Sequence, residues 1–502
     1  MSGHHHRTHV LDLPSDVFIA IFSYLPFGSL YALLLTCKHT GELVTEFGWT
    51  VYLQSHKRVS YSLSLTENVW NAMSRVRYST LADHNWSHMK FVARPLSSSW
   101  DGKLLPVIAI TRTRLVVAAG SRLHVYSFKC ASHSSDPPVI IPEGVYVIDR
   151  GVAHSNVNET PKAEHDISGL AFLPDEGRDR LMLAGFADGH VMRIILPENA
   201  ESSELGALKL EGLYVGGDAI RGLSASGSLA FTLSNSGNGI LSDTSSTACS
   251  SINVDKKSWS TYLSGPSNGS PFVAIGTSSR TPLAVYSIDQ TTVNTVPEAY
   301  LSFAHREARA SLDPIPSAVY GISGVPLSFP GDPGKTIVSG WFDGRLRIYD
   351  LRSPPRGTVI VHPGNNQQTR TLAPIMTLSD PWAAESIYTV SVGGGPGTII
   401  GAGAARHSVV AFWDVRSPRS GWSVHAPGND ASPVYTLALE GSRAFGATQS
   451  RAFVLDFGEG AGKETYPPIE RIRRRLDGSL KTLDGLHYEV TKYLHRNPMA
   501  RT

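Results

Sequence analysis

Cysteine is scarce in this sequence, and long apolar runs are absent. The 502 residues include three cysteines, which are too few for a disulfide framework and indicate a reducing compartment. No stretch approaches the roughly 18 uncharged apolar residues of a membrane-spanning helix. Asp12, Pro14 and Asp16 interrupt the apolar residues near the N-terminus, so we expect no secretory signal. These absences predict a cytoplasmic or nuclear protein with no membrane partner.

The chain also lacks a dominant charge and the short motifs of metal and nucleotide sites. Its 45 Lys and Arg residues nearly balance 43 Asp and Glu residues, which indicates neither nucleic acid nor an acidic surface as partner. There is no Cys-x-x-Cys or His-Glu-x-x-His spacing, and the glycine-rich stretch Ser391–Gly403 is not followed by Gly-Lys-Ser/Thr. The histidines of residues 1–10 suit weak metal binding, but this segment is more simply a disordered polar terminus. We therefore expect no cofactor, no metal and no enzymatic activity.

An apolar segment opens the chain, from Leu11 to Val44. Its spacing predicts one amphipathic helix from Ser15 to Pro26, a second from Ser29 to Gly41, and a third over residues 42–52. Three short helices cannot bury this much apolar surface among themselves. The excess indicates either an interface with another protein or packing on the rest of the chain, and the pattern alone leaves both open.

The same segment resembles an F-box, a motif that begins with Leu-Pro, continues through an amphipathic helix ending in Tyr-Leu, and reaches Cys-Lys/Arg. The residues that match are Leu13, Pro14, Val17, Ile21, Phe22, Tyr24, Leu25, Leu30, Leu33, Cys37 and Lys38. Thr40 departs from the pattern, which usually has Trp at that position. The resemblance implies that residues 11–53 dock on the Skp-type adaptor of a cullin-based ubiquitin ligase. It implies an adaptor-binding surface formed by Leu13, Pro14, Val17, Phe18, Ile21, Phe22, Leu25, Leu30 and Leu33.

From Leu104 onward, short apolar strands alternate with Gly, Ser, Asp and Pro turns, which is an all-β pattern. A unit of strand, Gly, Asp-Gly turn and strand recurs, most clearly in Lys335–Pro354 and Gly401–Pro418. Seven segments read as the first strand of such a unit, at the spacing of propeller blades with insertions. With Tyr349-Asp350 and Trp413-Asp414 at the ends of units, residues 101–460 resemble a WD-repeat β-propeller. This resemblance implies structural pairs of a His with the turn Asp, namely His165 with Asp188 and His305 with Asp343.

Two further segments complete the predicted organisation. Residues 54–100 read as a helical, semi-rigid linker, and Asn85–Phe91 resembles the segment that often precedes the propeller in F-box/WD-repeat proteins. Residues 461–502 form a basic tail. Its arginines, Arg471, Arg473, Arg474 and Arg475, suit nucleic acid or an import receptor, but a solvated tail is the simpler prediction.

The expected fold is thus a small all-α F-box domain followed by an all-β, seven-bladed WD-repeat β-propeller. By resemblance, the protein is the substrate receptor of an SCF-type ubiquitin ligase. It would bind the adaptor, through it a cullin, and an unidentified target protein. A scaffold that binds the adaptor without delivering a target, and a propeller enzyme, are the competing functions. The target is expected on the face that carries Phe186, Arg221, Arg306, Trp341, Phe342 and Arg406, although Trp341 and Phe342 equally suit packing between blades.

Overall fold

The computed structural model describes residues 10–130, 136–148, 165–198, 207–246, 248–265, 269–302, 316–330, 332–355, 359–361, 368–428, 431–469, 471–474, 480–483 and 488–496. A small helical region comes first. A large β region of antiparallel sheets follows it.

The helical region consists of short helices joined by tight connections. A 3-10 turn at Val10–Asp12 precedes the first helix, and a π turn at Val44–Gly48 joins the third to the fourth. The α-helices are α1 (Ser15–Phe22), α2 (Phe27–Thr36), α3 (Lys38–Leu43), α4 (Trp49–Ser55) and, after a 3-10 segment at Ser62–Asn68, α5 (Ala72–Ser87).

Gly41 does not break the chain, contrary to the prediction, and it lies inside α3. A Cβ atom at this position would lie 3.0 Å from the carbonyl oxygen of Leu34, which is closer than side chains normally approach. Glycine therefore allows α3 to pack tightly on α2.

The β region begins earlier than predicted. Strand β1 (Val92–Pro95) lies within the segment expected to be linker, and it pairs antiparallel with a strand near the other end of the β region. The strands of the first three sheets then follow in order along the chain. They are β2 (Val107–Ile110), β3 (Arg114–Ala119), β4 (Arg122–Lys129) and β5 (Val139–Val147) in sheet 1; β6 (Ile167–Phe172), β7 (Leu181–Phe186), β8 (His190–Ile195) and β9 (Lys209–Val215) in sheet 2; and β10 (Ile220–Ser226), β11 (Leu229–Ser234), β12 (Asn238–Asp243) and β13 (Cys249–Asn253) in sheet 3.

Sheets 4 and 5 share hydrogen bonds between β15 (Phe272–Ser279) and β19 (Ser317–Ser323), which join them into one eleven-stranded sheet. Sheet 4 has a short hairpin added at its outer side. The other strands are β14 (Ser258–Leu263), β16 (Leu283–Asp289), β17 (Thr292–Val293), β18 (Ala299–Leu301), β22 (Ile360–Val361) and β23 (Gln368–Leu372) in sheet 4, and β20 (Thr336–Trp341), β21 (Arg345–Asp350) and β24 (Met376–Ser379) in sheet 5.

The last sheets include strands from both ends of the β region. Sheet 6 contains β25 (Ile387–Gly394), β26 (Ile399–Ala404), β27 (Val409–Asp414), β28 (Trp422–His425) and β34 (Lys492–Leu494); sheet 7 contains β29 (Val434–Leu439), β30 (Arg443–Thr448), β31 (Ala452–Asp456) and β1; and β32 (Arg471–Arg474) pairs with β33 (Leu480–Leu483). The C-terminal segment was expected to be a solvated tail. Instead, β34 adds to the outer side of sheet 6.

The first strands of the seven sheets contact one another in a closed series. In order these strands are β2, β6, β10, β14, β19, β25 and β29, and β29 contacts β2 again. The apolar cores lie between neighbouring sheets. One core, for example, joins Val338 and Ile348 of sheet 5 with Ile400 and Trp413 of sheet 6. Each sheet therefore depends on both of its neighbours for burial.

A glycine in the second strand of a sheet allows the next sheet to approach closely. At Gly340 in β20, a Cβ atom would lie 2.5 Å from Cγ2 of Ile387 in β25. At Gly403 in β26, it would lie 2.7 Å from the carbonyl oxygen of Val434. The recurring glycine of the sequence repeat thus has a packing role between sheets.

The linker is fixed to the turn between the first two strands of sheet 7. The buried carboxylate of Glu440 accepts hydrogen bonds from the hydroxyl of Ser62 at 2.7 Å and from its backbone N–H at 3.0 Å. Glu440 also lies 3.8 Å from the guanidinium of Arg443, which is fully buried. These contacts join the helical region to the β region through a buried network.

Helix α5 adds a second connection between the two regions. The indole N–H of Trp86 donates to the carbonyl of Gly441 at 2.9 Å, and its ring stacks on Phe457 at 3.5 Å. Arg58 forms an ion pair with Asp83 and donates to the carbonyl of Gly395 at 2.9 Å. Burial of a Trp side chain contributes about 3 kcal/mol or more, so the linker is packed firmly against the β region.

Candidate functional site

One side of α1 presents apolar side chains to solvent. Pro14, Val17 and Ile21 are exposed, and their spacing of three and four residues places them on one face of the helix. Tyr24, just after the end of α1, is 87% exposed. Leu13, Leu25 and Leu33 are half-buried beside the helical core. This row, Pro14, Val17, Ile21 and Tyr24, is called the α1 surface below.

Three of the residues expected to face the adaptor lie instead inside the helical core. Phe18, Phe22 and Leu30 are almost fully buried, and they pack with Trp49 of α4 and Val76 of α5. The resemblance indicated which positions of the motif are apolar, but it did not show which of them face the helical core and which face solvent. These three side chains stabilise the helices, whereas the α1 surface is available for contact.

Helix α2 carries exposed apolar residues that the sequence analysis did not select. Leu35 is 68% exposed and Tyr31 is 45% exposed. They lie four residues apart and therefore on one side of α2. Their spacing was visible in the sequence, but the predicted apolar face of α2 was placed on Leu30 and Leu33 instead.

Thr40, the departure from the F-box pattern, has a structural role of its own. Its side chain is buried, and its hydroxyl donates to the carbonyl of Leu33 at 2.8 Å at the end of α2. The thiol of Cys37 lies 3.3 Å from the same hydroxyl. Thr40 thus satisfies a carbonyl that a helix end leaves without a partner, and the small core forms without Trp at this position.

A second candidate site lies at the centre of the β region. A cavity of about 490 Å³ is lined by residues of the first strands of all seven sheets. In six of these strands the antiparallel pairing skips one residue near the start of the strand. The skipped residues all line the cavity, and they are Ser168, Arg221, Trp259, Tyr320, Tyr388 and Tyr435. A bulge of this kind redirects a side chain.

Four of these residues form a continuous arc of aromatic rings, called the aromatic arc below. The ring centroids of Trp259 and Tyr320 are 5.2 Å apart, and those of Tyr320 and Tyr388 are also 5.2 Å apart. Tyr388 stacks on Tyr435 at 5.6 Å. Burial raises the pKa of Tyr320 and, with the neighbouring Tyr388, keeps its hydroxyl protonated. The arc therefore offers ring faces together with phenol donors.

Arg221 is the positively charged residue that lines this cavity. Its Nε atom is buried and has no hydrogen-bond partner among the described residues. A second cation lies close by, because the ammonium of Lys257 is 4.5 Å from the ring centroid of Trp259. The lining within the described residues includes no Asp or Glu, so the cavity favours an anion.

The other predicted target-binding residues have different surroundings. Phe186 and Trp341 are fully buried between sheets, so their proposed contact with a target is wrong and the packing alternative holds for Trp341. Phe342 and Arg406 are exposed in the turns that follow β20 and β26. Arg306 lies outside the described residues.

The predicted pairs of His and turn Asp are found only in part. Asp188 lies 3.6 Å from Nδ1 of His165, as predicted, and 3.0 Å from Nδ1 of His190. Asp343 pairs with the guanidinium of Arg347 at 2.7 Å, and its predicted partner His305 lies outside the described residues. Both turn carboxylates therefore contact side chains of the same region, Asp188 two imidazoles and Asp343 a guanidinium, as expected for groups with a structural role.

A buried Ser, His and Asp cluster lies where β34 joins sheet 6. The hydroxyl of Ser423 donates to Asp380 at 2.7 Å and lies 2.8 Å from Nε2 of His495. Because the single hydroxyl proton goes to Asp380, His495 must donate to Ser423 rather than act as its base. Ser423 is fully buried. The cluster therefore attaches the C-terminal strand and does not form a nucleophile.

Asp380 is strongly stabilised as a carboxylate in this cluster. Burial alone would raise its pKa, but hydrogen bonds from His495, Ser423, the backbone of Trp382 and the hydroxyl of Tyr493 lower it to about 2. In the described part of the chain, no group of three or more His, Cys, Asp or Glu residues is placed to hold a metal ion. Nor does any described helix have the length and apolarity needed to cross a bilayer.

The helical region matches a known protein family, and two solved structures are similar to a larger part of the chain. No curated protein matches this chain. The chain is similar to the solved structures of the computationally designed Ika8 protein (14% identity, TM-score 0.43, 72% of this chain and 99% of that chain) and of Sqt1 from Chaetomium thermophilum (14% identity, TM-score 0.43, 69% and 82%). Residues 10–49 match the F-box-like family. The chain thus carries at its N-terminus an F-box-like domain, a type of domain that generally binds Skp-type adaptors.

Proposed function

We propose that this protein is the substrate receptor of an SCF-type ubiquitin ligase. The F-box-like domain binds a Skp-type adaptor, and through it a cullin, while the β region holds a target protein. The observation that carries the proposal is the α1 surface of the F-box-like domain. Its helices already have a complete core around Phe22 and Leu30, and yet Val17, Ile21 and Tyr24 remain exposed. Apolar residues in such a row are typical of a protein interface.

We also propose that the β region is a seven-bladed WD-repeat propeller. The closed series of contacts between first strands supports it. Sheet 7 supports it as well, because β1 from the start of the β region pairs with strands from its end. A propeller ring is closed when the two ends of the β region share one blade in this way. Tyr349-Asp350 and Trp413-Asp414 end the third strands of sheets 5 and 6.

The target is proposed to bind over the central cavity. Arg221 and the aromatic arc line this cavity, and Phe342 and Arg406 lie in turns at the same end of the strands. Arg and aromatic residues are enriched among the residues that dominate binding energy. The protein itself supplies no reacting group in this proposal. It acts in the cytoplasm or nucleus by holding the target close to the ubiquitin-transfer machinery.

Adaptor binding is tested with the full-length chain carrying Ile21→Asp. A buried interface anchor contributes about 2 kcal/mol or more, so affinity for a Skp-type adaptor should fall by roughly 30-fold or more. Thr50→Asp, at an exposed position of α4, is the matched control and should bind as the unchanged chain does. Equal affinity of the two variants for the adaptor would contradict the assignment of the α1 surface.

The role of the β region is tested in reconstituted ubiquitination of proteins that co-purify with the chain. Arg221→Gln should reduce ubiquitination of the target and leave adaptor binding unchanged, because the cavity and the α1 surface belong to different regions. If no co-purifying protein is ubiquitinated while the adaptor is bound, the scaffold function is favoured over the receptor function.

A further inference from the structure

The central cavity combines a cationic end with an aromatic wall. Arg221 lies in β10, and Trp259 occupies the equivalent bulge of the neighbouring first strand, β14. Tyr320, Tyr388 and Tyr435 follow in the next three first strands. A ligand in this cavity therefore meets positive charge at one end and ring faces along the side.

The guanidinium of Arg221 is arranged to receive an anion. A buried N–H without a partner is unfavourable, and Nε of Arg221 has none among the described residues. The described lining of the cavity contains no carboxylate that could compensate it. A phosphate or carboxylate from outside would supply the missing acceptor, and it could do so in a bidentate manner.

The aromatic arc selects what is attached to that anion. Indole Nε1 of Trp259 donates to the hydroxyl of Ser278 at 2.7 Å, which fixes the orientation of the first ring. The interplanar angle between Tyr320 and its two neighbours in the arc is 74° and 78°. This alternation of edges and faces favours insertion of another planar ring, which prefers offset or edge-to-face contacts.

The size of the cavity suits such a group. Its volume of about 490 Å³ falls within the range of roughly 300–1,000 Å³ that is typical of small-molecule sites. The opposite wall contains Leu105, Pro106 and Val107. A planar ring would thus lie between aromatic and aliphatic surfaces, whereas a short acidic side chain would reach Arg221 and leave the arc empty.

We propose that the central cavity binds a planar aromatic group that carries a phosphate, that is, an aryl phosphate. Such a group occurs in a phosphotyrosine side chain of a protein and in free small molecules. This inference deepens the proposed function by giving the chemical class read at the target site. Binding itself involves the β region alone, and it can be measured without the adaptor.

The experiment measures calorimetric binding of the full-length chain to three probes near neutral pH. The probes are phenyl phosphate, a phosphotyrosyl peptide, and the same peptide with phosphoserine at that position. Phenyl phosphate and the phosphotyrosyl peptide should bind, and the phosphoserine peptide should bind at least about tenfold more weakly because it lacks the ring. If only the phosphotyrosyl peptide binds, the group belongs to a protein; if phenyl phosphate binds equally well, the anionic ring alone is sufficient.

Variants test the assigned residues. Arg221→Gln should weaken binding by about tenfold or more, because it removes a charge-assisted hydrogen bond. Arg178→Gln is the matched control at an exposed position paired with Glu176 in the turn between β6 and β7, and it should change little. Tyr388→Phe should retain binding, and Tyr388→Ala should reduce it, since the ring is what the arc contributes. Unchanged melting temperatures show that each variant is folded, and Arg221→Lys replaces Arg221→Gln if the latter does not fold.

The inference is overturned if neither aromatic probe binds, if phosphoserine binds as tightly as phosphotyrosine, or if Arg221→Gln has no effect. Adaptor binding is measured on the same preparations. If the unchanged chain does not bind the adaptor, the proposed function is contradicted. If it binds the adaptor but no aryl phosphate, only this inference is contradicted.

Discussion

The contact between Ser62 and Glu440 gives a direct test of how firmly the helical and β regions are joined. Ser62 is fully buried, and its hydroxyl donates to the carboxylate of Glu440 at 2.7 Å. Burial raises the pKa of Glu440, and Ser62 is among the groups that oppose this shift. A hydrogen bond to a charged group contributes about 1.5–3 kcal/mol. The backbone N–H of Ser62 and the side chain of Arg443 remain as partners, so we expect Ser62→Ala to cost about 1.5–2 kcal/mol, the lower part of that range.

Ser64→Ala is the matched control in the same 3-10 segment. The hydroxyl of Ser64 donates to the carbonyl of Tyr61 at 2.6 Å, which lies within the linker itself. This change should cost about 0.5–1 kcal/mol, as expected for an ordinary hydrogen bond. Urea unfolding gives the free energy of each variant, and amide hydrogen exchange over residues 61–87 shows whether the linker separates first. Equal losses for Ser62→Ala and Ser64→Ala, or no increase in linker exchange, would refute the buried coupling.

Two other changes test the packing of the β region and its C-terminal attachment. Gly340→Ala should lower the free energy of unfolding by about 1–3 kcal/mol, because its Cβ would collide with Ile387. Gly212→Ala, whose Cβ meets nothing within 4 Å, should leave this free energy unchanged. Similar melting temperatures of the two variants would contradict this packing. Asp380 has a folded pKa of about 2, below its unfolded value of about 3.9, so its contribution is fully present above about pH 5 and is lost as the pH falls from about 5 to 1. Stability of the unchanged chain relative to Asp380→Asn should therefore decrease by about 2–3 kcal/mol over that interval, and a constant difference across it would show that the cluster does not depend on the carboxylate.

The strands of the β region were predictable where the repeat was strong. Each of the seven segments expected to be a first strand contains a strand in the structure. Strand β1 was missed because Val92–Pro95 is only four residues long and its partner, β31, is distant in the sequence. Strand β34 was missed because its partner, β28, is also distant in the sequence and because the basic composition of residues 461–502 suggested a solvated segment. Pairing between remote segments leaves little signal in local sequence.

For the candidate sites too, the sequence indicated single residues but not which of them come into contact. The apolar positions of α1 were identified, but Phe18 is buried and Ile21 is exposed although they lie only three residues apart. The helices that pack on α1 are needed to tell them apart. Arg221 was selected from its position near the start of a repeat, and in the structure it lines the central cavity. The aromatic arc was not found, because Trp259, Tyr320 and Tyr388 are far apart in the chain and come together only through the closed order of the first strands.

The central cavity and the linker lie at opposite ends of the strands. The linker contacts Gly395 and Gly441, which are in the turns that join the first strand to the second in sheets 6 and 7. The bulge residues of the central cavity lie at the starts of the first strands, at the other end. The eight residues of β25 span about 26 Å at roughly 3.3 Å per residue. The cavity thus lies at the end of the strands opposite the linker, and the Ser62–Glu440 and Trp86–Gly441 contacts hold the linker in that place. If the receptor function holds, the ligase must bridge this distance through its other subunits, and the stiffness of the linker then helps determine which parts of the target come within reach.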